Sequence, residues 1–145
     1  MIEALKEVNK HYISIVYTAS HKIYADSVID YFDPTGELIK YRLYRNNCIR
    51  TKMLDEFIYV KDLRIFNDRR MENIVIVDNS MYSFANQLSN GILITSFFND
   101  RKDMELINLG NYLVNCLVNV KDIRTENEKF FKFESMLYYK NTGYN

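Results

Sequence analysis

Three short polar segments each follow a predicted strand and carry side chains that could act on a phosphoryl group. They are Thr18-Ala19-Ser20, Lys61-Asp62 and Asp78-Asn79-Ser80. A phosphoryl group needs hydrogen-bond donors for its oxygens, a cation to offset its charge, and usually Mg²⁺ held by oxygen ligands. Thr18 offers a hydroxyl beside backbone amides, Lys61 a mobile positive charge, and Asp78-Asn79 hard oxygen donors. The sequence therefore predicts an anion and metal pocket where these segments meet.

The elements that position these segments follow from the hydrophobic pattern. Apolar runs typical of buried strands lie at 13–17, 74–77 and 92–94. Helical spacing of apolar residues is found at 2–8, 22–31 and 103–118. This alternation predicts a doubly wound α/β fold, in which ligands bind at the carboxyl ends of parallel strands.

The alternation is interrupted between the first and second of these strands. Residues 39–44 and 57–59 are short β-like runs separated by polar residues, so we expect a small antiparallel β insert over about 37–60. Asp33-Pro34-Thr35-Gly36 predicts a turn before it. The tail is too apolar for a disordered segment, and we expect part of it to pack on the domain. Its apolar residues are Phe130, Phe131, Phe133, Met136, Leu137 and Tyr138.

The composition predicts a single domain over 1–145. Hydrophobic residues make up 48% of the 145 residues, enough for one core. The 19 Lys and Arg balance 19 Asp and Glu, so no net field favours nucleic acid or an anionic membrane. No apolar run approaches the roughly 20 residues of a spanning helix, and we expect an intracellular protein without a membrane segment. Cys48 and Cys116 are expected to be reduced, buried thiols, and His11 and His21 are assigned no metal site.

Five ordered blocks resemble the small C-terminal-domain phosphatases of RNA polymerase II, within the haloacid dehalogenase superfamily. The NLI-interacting-factor-like and dullard-like phosphatases belong to the same group. The blocks are Tyr17-Thr18-Ala19-Ser20, Tyr24-Ala25-Asp26, Tyr41-Arg42-Leu43-Tyr44-Arg45, Tyr59-Val60-Lys61-Asp62-Leu63 and Val77-Asp78-Asn79-Ser80. The similarity runs from about Ile2 to about Val118, and the order of five blocks is far more specific than any one of them. It implies a HAD-like, Rossmann-like parallel sheet flanked by helices.

The resemblance implies roles for the catalytic and metal positions. Thr18 is similar to the hydroxyl that holds a phosphoryl oxygen, and Lys61 to the lysine that steadies nucleophile and phosphate. Asn79 resembles the direct Mg²⁺ ligand, and Asp78 the residue that supports it through the metal shell.

The resemblance also implies a substrate groove and partners. Tyr24 resembles an aromatic wall of that groove, and Arg45 a phosphate-facing guanidinium. The implied substrate is a phosphorylated protein, with the RNA polymerase II C-terminal tail as one candidate. The implied location is the nucleus or the cytoplasm.

The sequence departs from the family pattern in two places. Met81 stands where the family's L-D-N-S-P block has proline. The second departure is the first motif, D-x-D-x-T at the end of the first strand, which supplies the aspartate nucleophile in the family. No two of the ten aspartates of this sequence are spaced by two residues. We therefore expect the first catalytic strand to be missing, and the chain to be a truncated or degenerate copy without independent phosphatase turnover.

Each assigned residue also has a structural explanation. Thr18 could cap a helix, Lys61 and Arg45 could be solvated charges, Tyr24 could pack, and Asp78-Asn79 could form a turn. The alternative function is a non-catalytic phosphopeptide-binding module. A scaffold like the phosphatase-like subunit of the mitochondrial inner-membrane import translocase is a further form of it.

Overall fold

The computed structural model describes residues 2–53 and 55–135. Four helices and six strands are defined in these ranges. In chain order they are α1 (Ile2–Val8), β1 (Ile15–Tyr17), α2 (Lys22–Phe32), β2 (Tyr41–Leu43), β3 (Ile49–Met53), β4 (Glu56–Val60), β5 (Ile76–Asp78), β6 (Gly91–Leu93), α3 (Glu105–Tyr112) and α4 (Ile123–Phe131). Short 3₁₀ turns fill most of the connections between β4 and β6.

The strands form three pairs. β1 and β2 are parallel, with Ile15 opposite Tyr41, and β5 and β6 are parallel, with Ile76 opposite Gly91. β3 and β4 form an antiparallel hairpin. In the described ranges, no strand pairing joins the β1–β2 pair to the β5–β6 pair. The α/β class with parallel strands flanked by helices is confirmed.

The extent of the antiparallel insert was predicted wrongly. The run at 39–44 was expected inside it, but β2 pairs in parallel with β1 through the α2 crossover. The antiparallel element covers β3 and β4, and β3 was not singled out because its apolar residues alternate with Arg50 and Lys52. A β-like pattern identifies a strand but does not specify its partner.

The connection after α2 is the predicted turn. Gly36 has a φ of 68°, a left-handed conformation that glycine adopts without strain. The Asp33 carboxylate accepts hydrogen bonds from the backbone N–H groups of Glu37, Leu38 and Ile39. These bonds fix the chain direction as it enters β2.

The predicted helix at 103–118 is divided. α3 ends at Tyr112 and the chain continues as a π-helical turn over Leu113–Leu117. Tyr12 follows α1, and its hydroxyl donates a hydrogen bond to the Leu113 carbonyl oxygen at 2.9 Å, where the π-helical turn begins. Local widening of a helix is invisible to hydrophobic periodicity, which continues through both parts.

Two buried apolar clusters lie around β5 and β6. The first contains Val8, Ile92, Leu113, Leu117 and Ile123. The second contains Leu63, Ile76, Phe84 and Phe133. α4 was not predicted from the sequence, but the expectation that part of the tail packs on the domain is confirmed by Phe131 and Phe133. Met136, Leu137 and Tyr138 lie outside the described residues.

Two further observations bear on the sequence analysis. Cys48 is half-buried, whereas Cys116 is exposed, so the expectation that both thiols are buried was wrong for Cys116. Along the ranges that the structure describes, none of the helices has the length and apolar character needed to cross a bilayer.

Candidate active site

Lys61 and Asp78 meet at the end of β5. β4 ends at Val60, and the next side chain, Lys61, forms an ion pair with the Asp78 carboxylate. Only 13% of the Lys61 side chain and 6% of the Asp78 side chain are exposed. The other Asp78 oxygen accepts a hydrogen bond from the Ser80 backbone N–H at 2.8 Å. The pair therefore places a cation and an anion in a poorly solvated position at the carboxyl end of a parallel strand.

Thr18 follows β1 and occupies a turn. Its backbone N–H donates to the Leu43 carbonyl oxygen, and its hydroxyl oxygen accepts from the Ser20 backbone N–H at 3.1 Å. α2 is capped at His21 without a side-chain bond, so the Thr18 hydroxyl orders the turn rather than the helix terminus. No acceptor for the Thr18 hydroxyl proton is found in residues 2–53 and 55–135, so this proton can be donated to an anion.

Arg45 is held beside this turn. Its Nε donates to the Ala19 carbonyl oxygen at 2.6 Å, and Nη1 lies 2.9 Å from the His21 ring nitrogen Nε2. Its guanidinium also lies over the Tyr59 ring, 5.0 Å from the centroid. These contacts fix a delocalised cation in place, and among the described residues no partner takes up Nη2, which could donate to a phosphate oxygen.

The Cys48 thiol lies beside the Thr18 turn, and the Cys48 backbone N–H donates to the Arg45 carbonyl oxygen at 3.0 Å. Its Sγ is 3.7 Å from the Thr18 carbonyl oxygen. Burial raises the pKa of the Cys48 thiol, while the positive charges of Lys61 and Arg45 act to lower it and the charge of Asp78 acts to raise it. Contacts therefore join Thr18, Arg45 and Cys48. The Arg45 guanidinium over the Tyr59 ring links this group to β4, which ends next to Lys61 and its ion-pair partner Asp78.

Tyr24 is not joined to this region. It projects from α2 with 66% of the residue exposed, and in the described part of the chain its side chain has no hydrogen bond or aromatic contact with the other candidates. Asn79 is exposed and donates from Nδ2 to the Ser96 hydroxyl at 2.8 Å. That bond turns the Asn79 amide oxygen away from Ser96 and leaves it available as a ligand.

A cleft of about 480 Å³ opens next to Asp78 and Asn79. Its walls include Ser96, Phe97 and Leu106. The carboxylates of Asp103 and Glu105 also line the cleft and add negative charge to it.

The residues present fit a divalent metal in part. Asp78 and Asn79 are hard oxygen donors, and Mg²⁺ is commonly held by one or two carboxylates together with waters and phosphate oxygens. Among the side chains that the structure describes, no group of three or more His, Cys, Asp or Glu is placed to hold a metal. The chain therefore supplies two donors of the right chemistry and not a complete shell.

The sequence analysis placed Asp62 in one of the three polar segments but assigned it no role. Asp62 stands next to Lys61 in the sequence, and its neighbours Arg64, Asn86 and Gln87 all donate hydrogen bonds to it. The adjacency to Lys61 could have indicated it, but the partners 24 and 25 residues away could not be foreseen.

Comparison with known proteins gives the family. Residues 1–124 match the model of the NLI interacting factor-like phosphatase family. The chain belongs to this family. The match covers well over half of the sequence and includes all six candidate residues, so the family resemblance predicted from the five blocks is confirmed.

Relatives of this phosphatase-family chain include two curated proteins and a solved structure. It is 38% identical over 135 residues to CTD small phosphatase-like protein 2 of Dictyostelium discoideum, covering 93% of this chain and 23% of the relative. It is 37% identical over 105 residues to CTD nuclear envelope phosphatase 1B of Danio rerio, covering 72% of this chain and 41% of the relative.

One structural neighbour is the fission yeast RNA polymerase II CTD phosphatase Fcp1 bound to beryllium fluoride. The TM-score is 0.54 at 19% identity, covering 94% of this chain and 38% of that one. This likeness shows the HAD-like fold. The chain spans less than half the length of each of these proteins. Membership of the family implies phosphatase function in the family and a metal cofactor.

Proposed function

We propose that this chain forms the phosphate-binding part of a protein serine/threonine phosphatase, acting on phosphoserine or phosphothreonine with Mg²⁺. The observation that carries the proposal is the Lys61–Asp78 ion pair at the end of β4 and β5. Arg45, which is bonded to the turn that contains Thr18, lies over the ring of Tyr59, two residues before Lys61. A phosphomonoester bound here faces two cations whose side chains are already held in place. Fixed charges of this kind act without reorganisation when a phosphate arrives.

The roles of the individual residues follow from their contacts. Lys61 and Arg45 offset the charge of the phosphoryl oxygens, and the Thr18 hydroxyl donates to one of them. Asp78 orients the Lys61 ammonium, and Asp78 and Asn79 would hold Mg²⁺, which offsets phosphoryl charge when bound. Tyr24 forms part of an outer substrate groove in this proposal, and its exposure allows it to contact a peptide.

Independent turnover is not part of the proposal. The covalent aspartyl-phosphate route needs the aspartates of a D-x-D-x-T run, and this sequence contains no pair of aspartates with that spacing. The same residues also support the alternative function, a non-catalytic phosphopeptide-binding module. The cations proposed to bind phosphate, Lys61 and Arg45, are present in a sequence that has no D-x-D-x-T motif.

The proposed substrate is a phosphorylated protein. The solved neighbour is named as an RNA polymerase II CTD phosphatase, which makes that tail a candidate substrate here. One relative is named as a nuclear envelope phosphatase, which is consistent with a nuclear or cytoplasmic location.

Calorimetry with a phosphoserine peptide tests phosphate binding. We expect binding that strengthens with Mg²⁺, that is lost with the unphosphorylated peptide and that is lost in Lys61→Ala. Lys129→Ala is the matched control, because Lys129 is a surface lysine paired with Glu126 on α4. No heat at millimolar peptide, or equal heat with the unphosphorylated peptide, would reject the proposal.

Phosphate release from the same peptide tests the turnover statement. We expect none from the pure chain. Mg²⁺-dependent phosphate release that Lys61→Ala abolishes would show that the chain hydrolyses the peptide by itself, contrary to this expectation.

A further inference from the structure

Asp62 is a buried carboxylate between Lys61 and the core residue Leu63. Only 6% of Asp62 is exposed, and Leu63 is 2% exposed in the second apolar cluster. Asp62 does not touch Asp78 or any other candidate phosphate-binding side chain through a hydrogen bond in the described residues. Its burial therefore has to be explained by other partners.

Those partners come from two places in the chain. Arg64 donates from its backbone N–H and from Nε to Oδ1, each at 2.9 Å. Asn86 donates from Nδ2 to Oδ2 at 2.9 Å, and Gln87 donates from Nε2 to Oδ1 at 3.1 Å. Asp62 thus ties the end of β4 to a segment more than 20 residues later.

That segment is the one that follows β5 and its last residue, Asp78. Two more bonds join the same stretches of chain. The Lys61 backbone N–H donates to the Ser83 carbonyl oxygen at 2.7 Å, and the Leu63 backbone N–H donates to the Gln87 side-chain oxygen at 3.1 Å. Three consecutive residues, 61–63, are therefore each bonded to 83–87. The Lys61 backbone is therefore bonded to the segment that follows Asp78, and the Lys61 side chain is paired with Asp78 itself.

The charge of Asp62 strengthens this connection. The Arg64 side chain, followed by the Arg64 backbone N–H and the side chains of Asn86 and Gln87, holds the pKa of Asp62 well below its usual range, against the effect of burial. An ionised acceptor makes stronger hydrogen bonds than a neutral one. Asp62 forms its ion pair with Arg64 and Lys61 forms its ion pair with Asp78, so the two neighbouring side chains have separate partners.

We propose that Asp62 is a positioning residue for the candidate phosphate site: it clamps the end of β4 to 83–87 and so holds the Lys61 ammonium against Asp78. The proposal deepens the proposed function and rests on it for the meaning of the Lys61 position. It assigns Asp62 no contact with substrate.

The chain contains a matched control for this clamp. Asp122 accepts hydrogen bonds from the Arg124 backbone N–H at 3.0 Å and from Arg124 Nε at 2.9 Å, the same local arrangement as Asp62 with Arg64. Asp122 lies at the start of α4 and is not bonded to any candidate site residue in the described ranges. Substituting Asp122 therefore removes the same kind of aspartate–arginine contact at a place that is not bonded to Lys61 in the described residues.

The test compares Asp62→Asn with Asp122→Asn and uses two readouts. The first readout is the ¹⁵N NMR signal of the Lys61 ammonium, which can be recorded without any ligand. This signal is assigned by its loss in the Lys61→Arg variant. The second is calorimetry with a phosphoserine peptide. We expect Asp62→Asn to shift or broaden the Lys61 signal and to weaken peptide binding on the order of tenfold, as loss of a group that orients a binding side chain does. Asp122→Asn should leave both readouts unchanged.

A milder variant keeps the test decisive if Asp62→Asn does not fold. Gln87→Ala removes one donor to Asp62 and the acceptor for Leu63 from a half-buried position, and we expect the same changes at smaller size. An unchanged Lys61 signal in folded Asp62→Asn, or in Gln87→Ala where Asp62→Asn does not fold, would overturn the proposal. If the Lys61 signal shifts while the wild-type chain binds no phosphopeptide, the positioning role stands and the proposed function fails.

Discussion

The two parallel strand pairs are built from similar sequence and differ in packing. β5 and β6 have apolar clusters on both sides, and Ile76, Ile92 and the wholly buried Phe84 belong to them. In the described chain, β1 and β2 add no residue to either cluster, and every residue of these two strands is at least partly exposed. α2, which connects them, is buried at Ala25 and Ile29 but has an exposed face that includes Tyr31.

This difference in packing indicates which strand pair contributes mainly to stability and which one mainly to ligand binding. The β5–β6 pair has the buried Lys61–Asp78 ion pair at its end, next to residues of the two apolar clusters. The β1–β2 pair leads into Thr18 and Arg45, which are held mainly by hydrogen bonds to the backbone and to His21, and in Arg45 also by the Tyr59 ring. We therefore expect substitutions of the apolar residues packed around β5 and β6 to act mainly on folding, and substitutions of Thr18 and Arg45 to act mainly on binding.

The largest effect is expected from Phe84→Ala. Removing a fully buried aromatic ring costs about 3–5 kcal/mol of unfolding free energy. Tyr31→Ala, on the exposed face of α2, should stay within about 0.5 kcal/mol of the wild type. Urea denaturation followed by circular dichroism measures both. Comparable losses would show that the two halves do not differ as the packing indicates.

Lys61→Ala should have the next largest effect. It leaves the Asp78 carboxylate, 6% exposed, without its cation. Breaking a fully buried pair costs about 3–5 kcal/mol, and we expect on the order of 2–3 kcal/mol here because Lys61 retains some solvent contact. Lys22→Ala breaks the exposed pair with Asp26 on α2 and should cost clearly less. The same denaturation experiment compares the variants, and a larger loss for Lys22→Ala would contradict the comparison.

Two glycines should respond in opposite directions. A Cβ at Gly91, the first residue of β6, would lie 2.1–2.8 Å from the Phe84 ring, so Gly91→Ala should destabilise the protein by about 1–3 kcal/mol. A Cβ at Gly110 in α3 would meet Ala4 at 3.7 Å, an ordinary contact. Gly110→Ala should therefore stabilise the protein by about 0.5–1 kcal/mol through helix propensity. Thermal unfolding of the pair checks the sign, and a stabilised Gly91→Ala would show that β6 is not packed against Phe84 as described.

The smallest effect is a change in the pH dependence of stability. The folded pKa of Asp62 is lowered, above all by Arg64, so its contribution is fully present above the ordinary carboxyl pKa of about 4 and is lost as the pH falls toward the folded value. Asp62→Asn should flatten the fall in stability between about pH 5 and pH 2. Asp26 in the α2 region also has a lowered pKa, first through Lys22, and Asp26→Asn should flatten it too. Unfolding at a series of pH values measures the slopes, and an unchanged slope in Asp62→Asn would contradict an ionised, clamped carboxylate.

Much of the fold was predictable because the local pattern and the tertiary environment agree. The run at 74–77 is apolar on both faces, and β5 is covered on both faces. The pairing of the run at 39–44 was predicted wrongly because its amino acids fit either arrangement, and the α2 crossover determined a parallel one. α4 was missed because residues 124–129 are all polar or charged, and because Asp122 alone marks the start of the helix.

The candidate site was predictable as a set of residues and not as an arrangement. The ordered blocks identified Thr18, Lys61 and Asp78-Asn79, but their roles remain predictions. Tyr24 matched a block equally well and lies apart from the others. The clamp around Asp62 depends on Asn86 and Gln87, whose types are common in loops and carry no signal of their own.

The sequence by itself determined the family, the α/β class and which polar side chains follow which strands, since these depend on residue types and on their order. The tertiary structure decided which strands pair, that Lys61 is neutralised by Asp78, and that Asp62 faces Asn86 and Gln87. These outcomes arise from contacts between residues far apart in the chain, whose energies depend on burial and geometry that local sequence does not encode.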